Sequence, residues 1–323
     1  MFNPYARHAT MLSLRREICH RVGKTPMRTT RLNSAIVTAL LPALSGCSSG
    51  ILAPAGQVGR AQRIILLDSL AIMLAIVIPT ILVALAFAWW YRASNPRARH
   101  RPDFVYSGRI ELVVWSIPTL VVLFLGGVIW IGSHALDPAA PLESQHKPID
   151  VQVVSLDWKW LFIYPEQQIA SVNRVVVPAG TPVHFSLTSA SVMNSFFVPQ
   201  LGGMIATMNR MVTQLHLEAD KPGDYYGQST QFSGDGFSDM QFVFRAVTDD
   251  DFEQWVSSTR AEGPTLNRET YLSLSRQSTE AQPFTYRHAE PGLFEAVVNQ
   301  ALPPGPGPEA DEVGANVRQS GAH

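Results

Sequence analysis

Two long apolar runs stand out in the first half of the chain. They extend from Ile64 to Trp90 and from Ile110 to Gly132. A helix of about 20 apolar residues is long enough to cross a bilayer, and the first run closes on the aromatic cluster Trp-Trp-Tyr that is typical of a membrane interface. We therefore predict transmembrane helices over residues 64–91 and 110–133.

The residues after the second run follow a different period. Apolar and polar residues alternate at Val151/Val153, Val183/Phe185/Leu187, Leu215/Leu217 and Met240/Phe242/Phe244. A period of two indicates half-buried strands, and turn sequences such as Pro178-Ala179-Gly180 separate them. Short strands at this spacing predict an antiparallel sandwich or barrel over residues 148–247.

Helical periodicity returns beyond Val247, around Asp251–Thr259 and Arg268–Arg276. This pattern predicts a short helical C-terminal arm over residues 248–300. The Pro- and Gly-rich stretch that follows cannot bury a core. Residues 301–323 are therefore predicted to form a disordered tail.

The loop between the two apolar runs, residues 92–109, orients the helices. It carries five arginines against one acidic residue, Asp103. The positive-inside rule therefore places this loop in the cytoplasm and everything after Gly132 on the outer face of the membrane.

The N-terminal region has the pattern of an export signal. Residues 27–46 combine a basic start, an apolar core of about 10 residues and small residues at the end. The final Leu44-Ser45-Gly46-Cys47 resembles a bacterial lipobox, which predicts a lipoprotein signal peptide and a lipidated Cys47 as the mature N-terminus. An ordinary signal peptide with an incidental cysteine is the alternative. Residues 1–26 are then an upstream extension or a misplaced start.

Composition narrows the class of protein. With 46% hydrophobic and 16% charged residues among 323, one soluble domain plus a few membrane spans is the natural division. A net charge of -1 lacks the basic excess of a nucleic-acid binder. The sequence has cysteine only at Cys19 and Cys47, so neither a disulfide framework nor a thiolate metal cluster can form in the predicted β-region.

Two motifs give the pattern a family resemblance. Glu111–Pro118 (ELVVWSIP) opens the second apolar run, and Asp157–Trp160 (DWKW) lies at the start of the β-region. In this order and topology they resemble subunit II of the haem-copper respiratory oxidases, over about residues 60–297. The resemblance implies two transmembrane α-helices followed by an all-β cupredoxin-like Greek-key sandwich with a short helical C-terminal arm.

Cytochrome c-oxidising members of that family hold a dinuclear copper centre, whose ligands are two thiolates, two imidazoles, a thioether and a backbone carbonyl. The corresponding positions here are Asn194, Ser229, Gln231, Ser233, Phe237 and Met240. Serine does not ionise near neutral pH, and neither an amide nor a phenyl ring replaces an imidazole. The resemblance therefore implies lost copper-ligand positions, with only Met240 kept, and a chain without a metal site or cofactor.

These replacements resemble the quinol-oxidising branch, specifically subunit II of cytochrome bo-type ubiquinol oxidases. That resemblance implies a proton-translocating terminal oxidase of the aerobic respiratory chain, with the haems, the copper and the oxygen chemistry in subunit I. The present chain would be a non-catalytic structural and assembly subunit of the bacterial inner membrane. It would contact subunit I, subunits III and IV and membrane lipid, would meet quinol through subunit I, and would bind no nucleic acid.

Glu111 is the residue to which the resemblance gives a direct chemical role. It lies at the cytoplasmic end of the second predicted helix, where an ionisable side chain needs water or a partner. The matching glutamate of the family is associated with the entrance of a proton-uptake channel, which implies proton entry here. The alternative is an acidic residue favoured in the first turn by the helix dipole.

The remaining candidates have structural interpretations. His184 and His216 are predicted to be exposed strand residues rather than metal ligands, and Trp158 and Trp160 to be core and docking aromatics. Two other functions compete with a quinol oxidase subunit. The nearest competitor is a cytochrome c oxidase subunit II, whose electron-transfer step the missing cysteines exclude. A free-standing periplasmic lipoprotein binding module is the alternative from another class.

Overall fold

The structure is a computed structural model that describes residues 50–99, 101 and 103–307. The signal sequence, Cys47 and the upstream extension therefore lie outside the described residues. Two long helices come first, α1 (Gln57–Trp90) and α2 (Gly108–Ala135). Both are apolar, largely exposed and long enough to cross a membrane. Helix α1 begins seven residues before the predicted span.

The early start of α1 reflects its contact with the sandwich that follows. The Gly59 N–H donates a hydrogen bond to the Leu201 carbonyl oxygen at 2.9 Å, and Arg60 forms an ion pair with Asp220. A Cβ at Gly59 would lie 2.8 Å from the Gln200 carbonyl oxygen, so this close approach requires glycine. The first two turns of α1 are therefore bound to the sandwich, and the exposed apolar surface begins after them.

Ten strands form the sandwich and three more lie in the C-terminal arm, one of which extends a sandwich sheet. Their bounds are β1 (Ile149–Leu156), β2 (Lys159–Tyr164), β3 (Ile169–Val172), β4 (Arg174–Pro178), β5 (Val183–Ser189), β6 (Asn194–Val198), β7 (Gly202–Thr207), β8 (Thr213–Leu217), β9 (Gly223–Ser229), β10 (Gln241–Val247), β11 (Thr265–Leu266), β12 (Phe284–Tyr286) and β13 (His288–Ala289). A six-stranded sheet has the order β12-β3-β2-β1-β5-β8, and a five-stranded sheet has the order β4-β10-β9-β6-β7.

The predicted all-antiparallel pairing is wrong at two places, because β1 pairs with β5 and β4 pairs with β10 in parallel. The reason is that the chain changes sheets at Asn173, between β3 and β4, where φ is +54°. After such a change the strands meet partners that are distant in sequence, and a crossover connection permits parallel pairing.

An aromatic core fills the space between the two sheets. Trp160 is fully buried, with ring centroids 5.4 Å from Phe196 and 5.6 Å from Phe242, both edge-on. Edge-on aromatic contacts add specific stabilisation to the burial of apolar area. Trp160 is therefore a core residue, as predicted.

The part of the arm after residue 261 covers the other face of the six-stranded sheet, and the helix before it adds Phe252 and Val256 to the core between the sheets. The arm contains α3 (Asp249–Ala261), α4 (Arg268–Leu274) and α5 (Leu293–Val298). Leu161 and Val172 of the sheet are buried in a second core with Tyr271 and Phe294 of the arm. The predicted helical arm is confirmed, and it also contains a strand that was not predicted, β12, which extends the six-stranded sheet beside β3. A three-residue strand is too short to show a period of two.

The segment after the arm is ordered as far as it is described. Leu302 is buried, the Gly305 N–H donates to the Ala190 carbonyl oxygen at 3.0 Å, and the Gly307 N–H donates to Asp157 Oδ2 at 2.8 Å. The predicted disordered tail is therefore wrong for residues 301–307. Residues 308–323 lie outside the described residues.

Candidate functional site

The six positions compared with copper ligands lie at one end of the five-stranded sheet. Asn194 opens β6, Ser229 closes β9, Gln231 and Ser233 lie in the loop that follows, Phe237 lies in a short 3-10 helix (Asp235–Asp239), and Met240 comes directly before β10. The strand ends bring Asn194 and Ser229 together, since β6 and β9 are neighbours in the sheet.

Asn194 and Ser229 are bonded to each other. The Ser229 hydroxyl donates a hydrogen bond to Asn194 Oδ1 at 3.2 Å, and the Asn194 amide donates to the Val192 carbonyl oxygen at 3.3 Å. Both residues are buried, with 1% and 5% of their surface exposed. Buried polar groups are costly unless they are paired, so this pair satisfies the polar side chains at this end of the sheet.

Ser233 is fixed through its backbone. Its carbonyl oxygen accepts a hydrogen bond from Trp158 Nε1 at 3.2 Å, while its buried hydroxyl has no hydrogen-bond partner among the described residues. The Trp158 ring also lies against Gly236, where an added Cβ would collide with it. Trp158 is 7% exposed and lies in the core between the sheets, so it is a core residue, as predicted, and it supports the Ser233 loop.

The other three positions do not converge on a common point. Met240 is buried in the core, and its carbonyl oxygen accepts the Ser229 N–H at 3.1 Å. Gln231 is exposed. Phe237 is half-buried and lies edge-on to Phe232, with ring centroids 5.7 Å apart. The site therefore contains one amide–hydroxyl pair, one isolated hydroxyl, one thioether and an aromatic pair.

Two buried charges beside Trp158 carry contacts that the sequence did not reveal. Asp157 accepts hydrogen bonds from the Ser191 hydroxyl and from the Gly307 N–H. Lys159 Nζ donates to the carbonyl oxygens of Leu274 and Arg276, at 2.9 and 2.6 Å, and to Ser278 Oγ at 2.6 Å. These contacts join the β1–β2 turn to the arm and to the segment after it.

Burial lowers the pKa of the Lys159 amine from 10.5 to about 8, while the Asp157 carboxylate opposes the shift. A charged amine away from water is disfavoured, and the carbonyl oxygens at the end of α4 partly compensate for the lost water. The sequence signal for the buried contacts of Lys159 is its place between Trp158 and Trp160. A solvated side chain is unusual between two core tryptophans.

The histidines predicted as exposed form a stacked pair. The rings of His184 and His216 lie 4.7 Å apart with 17° between their planes, and His184 Nδ1 lies 2.7 Å from Asp150 Oδ1. His216 is only 8% exposed, so the prediction of an exposed residue was wrong for it. The Pro138 carbonyl oxygen lies 3.4 Å from His216 Nδ1, and burial lowers the pKa of His216.

Glu111 lies in the first turn of α2 and is exposed along the described chain. Four and seven residues further on, Trp115 and Pro118 line an open apolar groove of about 390 Å³ on the same helix. Among residues 50–99, 101 and 103–307, no group of three or more His, Cys, Asp or Glu side chains is placed to hold a metal ion.

Comparison with known families identifies the sandwich and the arm separately. Residues 150–247 match the family model described as cytochrome c oxidase subunit II, periplasmic domain. Residues 260–305 match the model described as COX aromatic rich motif. Two apolar helices followed by this sandwich define the subunit II class of haem-copper oxidases, and the predicted cupredoxin-like fold class is confirmed.

Curated relatives narrow the class. The chain is 46% identical over 278 residues to ubiquinol oxidase subunit 2 of Acetobacter aceti, which covers 85% of this chain and 89% of the relative. It is 46% identical over 263 residues to cytochrome bo(3) ubiquinol oxidase subunit 2 of Pseudomonas aeruginosa, covering 81% and 80%. The chain belongs to the ubiquinol oxidase subunit 2 family, as the sequence motifs predicted.

A more distant relative and a solved structure are also similar to this chain. Quinol oxidase subunit 2 of Bacillus cereus is 34% identical over 244 residues, covering 75% of this chain and 84% of the relative. The crystal structure of the periplasmic domain of subunit II of cytochrome oxidase from Bradyrhizobium japonicum is 23% identical, with a TM-score of 0.34. It covers 36% of this chain and 94% of the solved one.

Proposed function

We propose that this chain is subunit II of a proton-translocating terminal quinol oxidase in the bacterial inner membrane, and that it has no redox centre of its own. The relatives named above support the oxidase assignment. The hydrogen bond between Asn194 and Ser229 supports the absence of a redox centre in this chain. It places an amide and a hydroxyl where a copper relay needs an imidazole and a thiolate.

The donor set does not fit a dinuclear copper centre. A hydroxyl is a poor ligand for soft copper and stays protonated near neutral pH, and Phe237 offers no donor atom. Met240 keeps a thioether, but its side chain is buried in the aromatic core. We infer that the sandwich does not relay electrons and that quinol donates directly to the haem-bearing subunit I.

The charge of the loop and the predicted export signal support the proposed membrane orientation. The arginine-rich residues 92–109 support a cytoplasmic loop, which places the sandwich on the periplasmic side. A lipidated Cys47 would add a third attachment ten residues before α1. Direct partners would be subunit I together with subunits III and IV, and lipid around the exposed faces of α1 and α2.

Glu111 is the proposed point of proton entry. Its exposed position in the first turn of α2 lets the carboxylate face the cytoplasm or a partner subunit. An ionisable residue at the end of a membrane helix is costly unless it meets water or a partner. The groove at Trp115 and Pro118 begins one turn further along α2 and offers a contact surface for that partner.

The free-standing lipoprotein is not favoured. A binding module would need an enclosed ligand pocket. The cleft of about 370 Å³ beside Asn173 and Tyr226 is instead open to the surface, between β10 and the arm. The aromatic rings of the sandwich fill the space between its sheets. A lipid-anchored module would also have no need of two further helices.

Oxygen uptake tests the proposed function. The chain is tagged, the complex is purified in mild detergent, and uptake is compared with ubiquinol and with reduced cytochrome c as donors. Rapid uptake with ubiquinol alone is expected. Uptake with cytochrome c would overturn the missing electron relay, and the absence of both haem and uptake would favour the lipoprotein.

Proton entry is tested in the same complex with Glu111→Ala. Turnover and proton pumping should fall, whereas Asp103→Asn in the preceding loop should leave both unchanged. Equal activity of the Glu111→Ala complex and the wild type would leave Glu111 with only a helix-dipole role.

A further inference from the structure

Asp150, His184 and His216 form one row across three neighbouring strands of the six-stranded sheet. Asp150 of β1 pairs with His184 of β5, and His184 pairs with His216 of β8. Side chains that are directly opposite each other in a sheet project from the same face. The two imidazole rings accordingly stack, with their centroids 4.7 Å apart. The proposed function uses none of these three side chains.

Each imidazole ring is oriented through its Nδ1 atom. His184 Nδ1 lies 2.7 Å from Asp150 Oδ1, and His216 Nδ1 lies 3.4 Å from the Pro138 carbonyl oxygen. A carboxylate and a backbone carbonyl only accept hydrogen bonds, so we assign the proton of each neutral ring to Nδ1 and leave the lone pair on Nε2. Metal-binding histidines are held in the same way, because their second ring nitrogen donates to a carboxylate or a carbonyl oxygen.

The Nε2 atoms of both rings are available to a ligand from solvent. Within the described residues neither Nε2 atom forms a hydrogen bond, and neither is a buried polar atom that lacks a partner. The His184 side chain is 25% exposed. Two nitrogen ligands at about 2.0–2.1 Å from a tetrahedral Zn²⁺ are about 3.3 Å apart. A tilt of the exposed His184 ring toward His216 therefore brings both Nε2 atoms within reach of one ion.

The donor atoms select the kind of ion. Imidazole nitrogen suits Zn²⁺ and Cu²⁺, whereas Mg²⁺ and Ca²⁺ prefer oxygen ligands. The Asp150 carboxylate beside His184 compensates part of the positive charge of the ion. Because no third His, Cys, Asp or Glu side chain converges with the pair in the described part of the chain, water completes the coordination, as it does in open zinc sites.

We propose that His184 and His216 form a two-imidazole binding site for a divalent transition-metal ion, Zn²⁺ or Cu²⁺, with Asp150 as the positioning residue of His184. The His216 N–H also donates to the Pro138 carbonyl oxygen at 3.0 Å, so the site lies where the segment after α2 joins the sandwich. A bound ion links β5 to β8, the edge strand of the sheet. The proposal does not depend on the proposed function.

Zinc titration of the full-length chain tests the site. The chain is purified in mild detergent with a tag that contains no histidine, is stripped of metal, and is titrated with Zn²⁺ against a chromogenic chelator. Asp150→Asn should weaken zinc binding about tenfold, and His184→Gln at least about 100-fold, because losing a ligand costs no less than losing its orienting partner. His288→Gln, which removes an exposed histidine of β13, is the control and should bind as wild type does.

Electron paramagnetic resonance of the Cu²⁺-loaded chain identifies the ligands. Nitrogen couplings from two imidazoles are expected for the wild type and the His288→Gln control, and from one imidazole for His184→Gln. Zn²⁺ should also raise the thermal unfolding temperature of the wild type but not that of His184→Gln.

A wild-type chain that binds neither ion would overturn the proposal, and so would equal zinc affinity of the wild type and His184→Gln. Thermal unfolding of the metal-free variants shows whether each is folded. Should His184→Gln fail to fold, Asp150→Asn decides the question, because Asp150 is exposed and its replacement leaves both imidazoles in place. Undiminished zinc affinity of Asp150→Asn would then refute the site.

Discussion

The hydroxyl of Ser229 donates a hydrogen bond to the side-chain oxygen of Asn194, 3.2 Å away, across the ends of two neighbouring strands. Both side chains are buried, and both stand at positions that the sequence resemblance predicts to be lost copper-ligand positions. The polar side chains at this end of the sheet therefore satisfy each other by hydrogen bonding.

Ser229→Ala is expected to destabilise the sandwich. The change leaves Asn194 Oδ1 buried without its donor, and an unsatisfied buried acceptor costs about 1–3 kcal/mol. Chemical unfolding of the detergent-solubilised chain, followed by tryptophan fluorescence, measures the loss. Ser238→Ala, an exposed change in the same loop, should stay within about 0.5 kcal/mol of wild type. Equal effects of the two changes would show that the Ser229–Asn194 bond contributes nothing specific.

Gly236→Ala should destabilise the loop through a collision rather than a lost bond. The new methyl group would meet the indole of Trp158, and such overpacking costs about 1–3 kcal/mol. A double-mutant cycle measures the collision, because Trp158→Leu makes room for the methyl group. The cost of Gly236→Ala should be smaller in that background, and an undiminished cost would contradict the contact.

Lys159→Met should loosen the C-terminal arm. The substitution removes the donor for the carbonyl oxygens of Leu274 and Arg276, and the free energy of unfolding should fall by about 2 kcal/mol or more. Hydrogen–deuterium exchange should accelerate in residues 274–278. Lys147→Met is the control, because Lys147 forms a solvent-exposed ion pair with Glu166 and such pairs contribute about 0–1 kcal/mol. Unchanged exchange in residues 274–278 would argue against the attachment.

The lowered pKa of Lys159, about 8 instead of 10.5, predicts a pH dependence of stability. Between these values the unfolded chain holds the proton and the folded chain has released it, so stability rises with pH. Below pH 8 both states are protonated and the contribution is constant.

The measurement compares the free energies of unfolding of wild type and Lys159→Met from pH 7 to 9.5. Staying below the ordinary pKa of tyrosine, about 10, avoids Tyr164 and Tyr271, whose pKa values burial raises. The wild type should gain stability relative to the variant above pH 8. Parallel profiles would show that the Lys159 amine does not titrate in this range.

Features that depend on local pattern were predictable. The apolar parts of the two long helices, residues 64–90 and 110–132, follow from run length alone, because crossing a bilayer requires a continuous apolar segment whatever its neighbours are. The strands at Val183 and Leu215 follow from a period of two that one buried face imposes. The exclusion of thiolates from the loop is equally local, since a side chain that is not encoded cannot be supplied by folding.

Features that depend on distant pairing were decided by the tertiary structure. The hydrogen bond from Gly307 to Asp157 joins residues 150 positions apart, so no pattern near residues 301–307 indicated order there. His216 alternates as a polar strand residue should, yet it is buried against the His184 ring and the Pro138 carbonyl oxygen. Phe232 is the opposite case. Its apolar side chain favours the core by composition, and only the closure of the loop over Trp158 leaves it exposed, because the space between the sheets is already filled by aromatic rings.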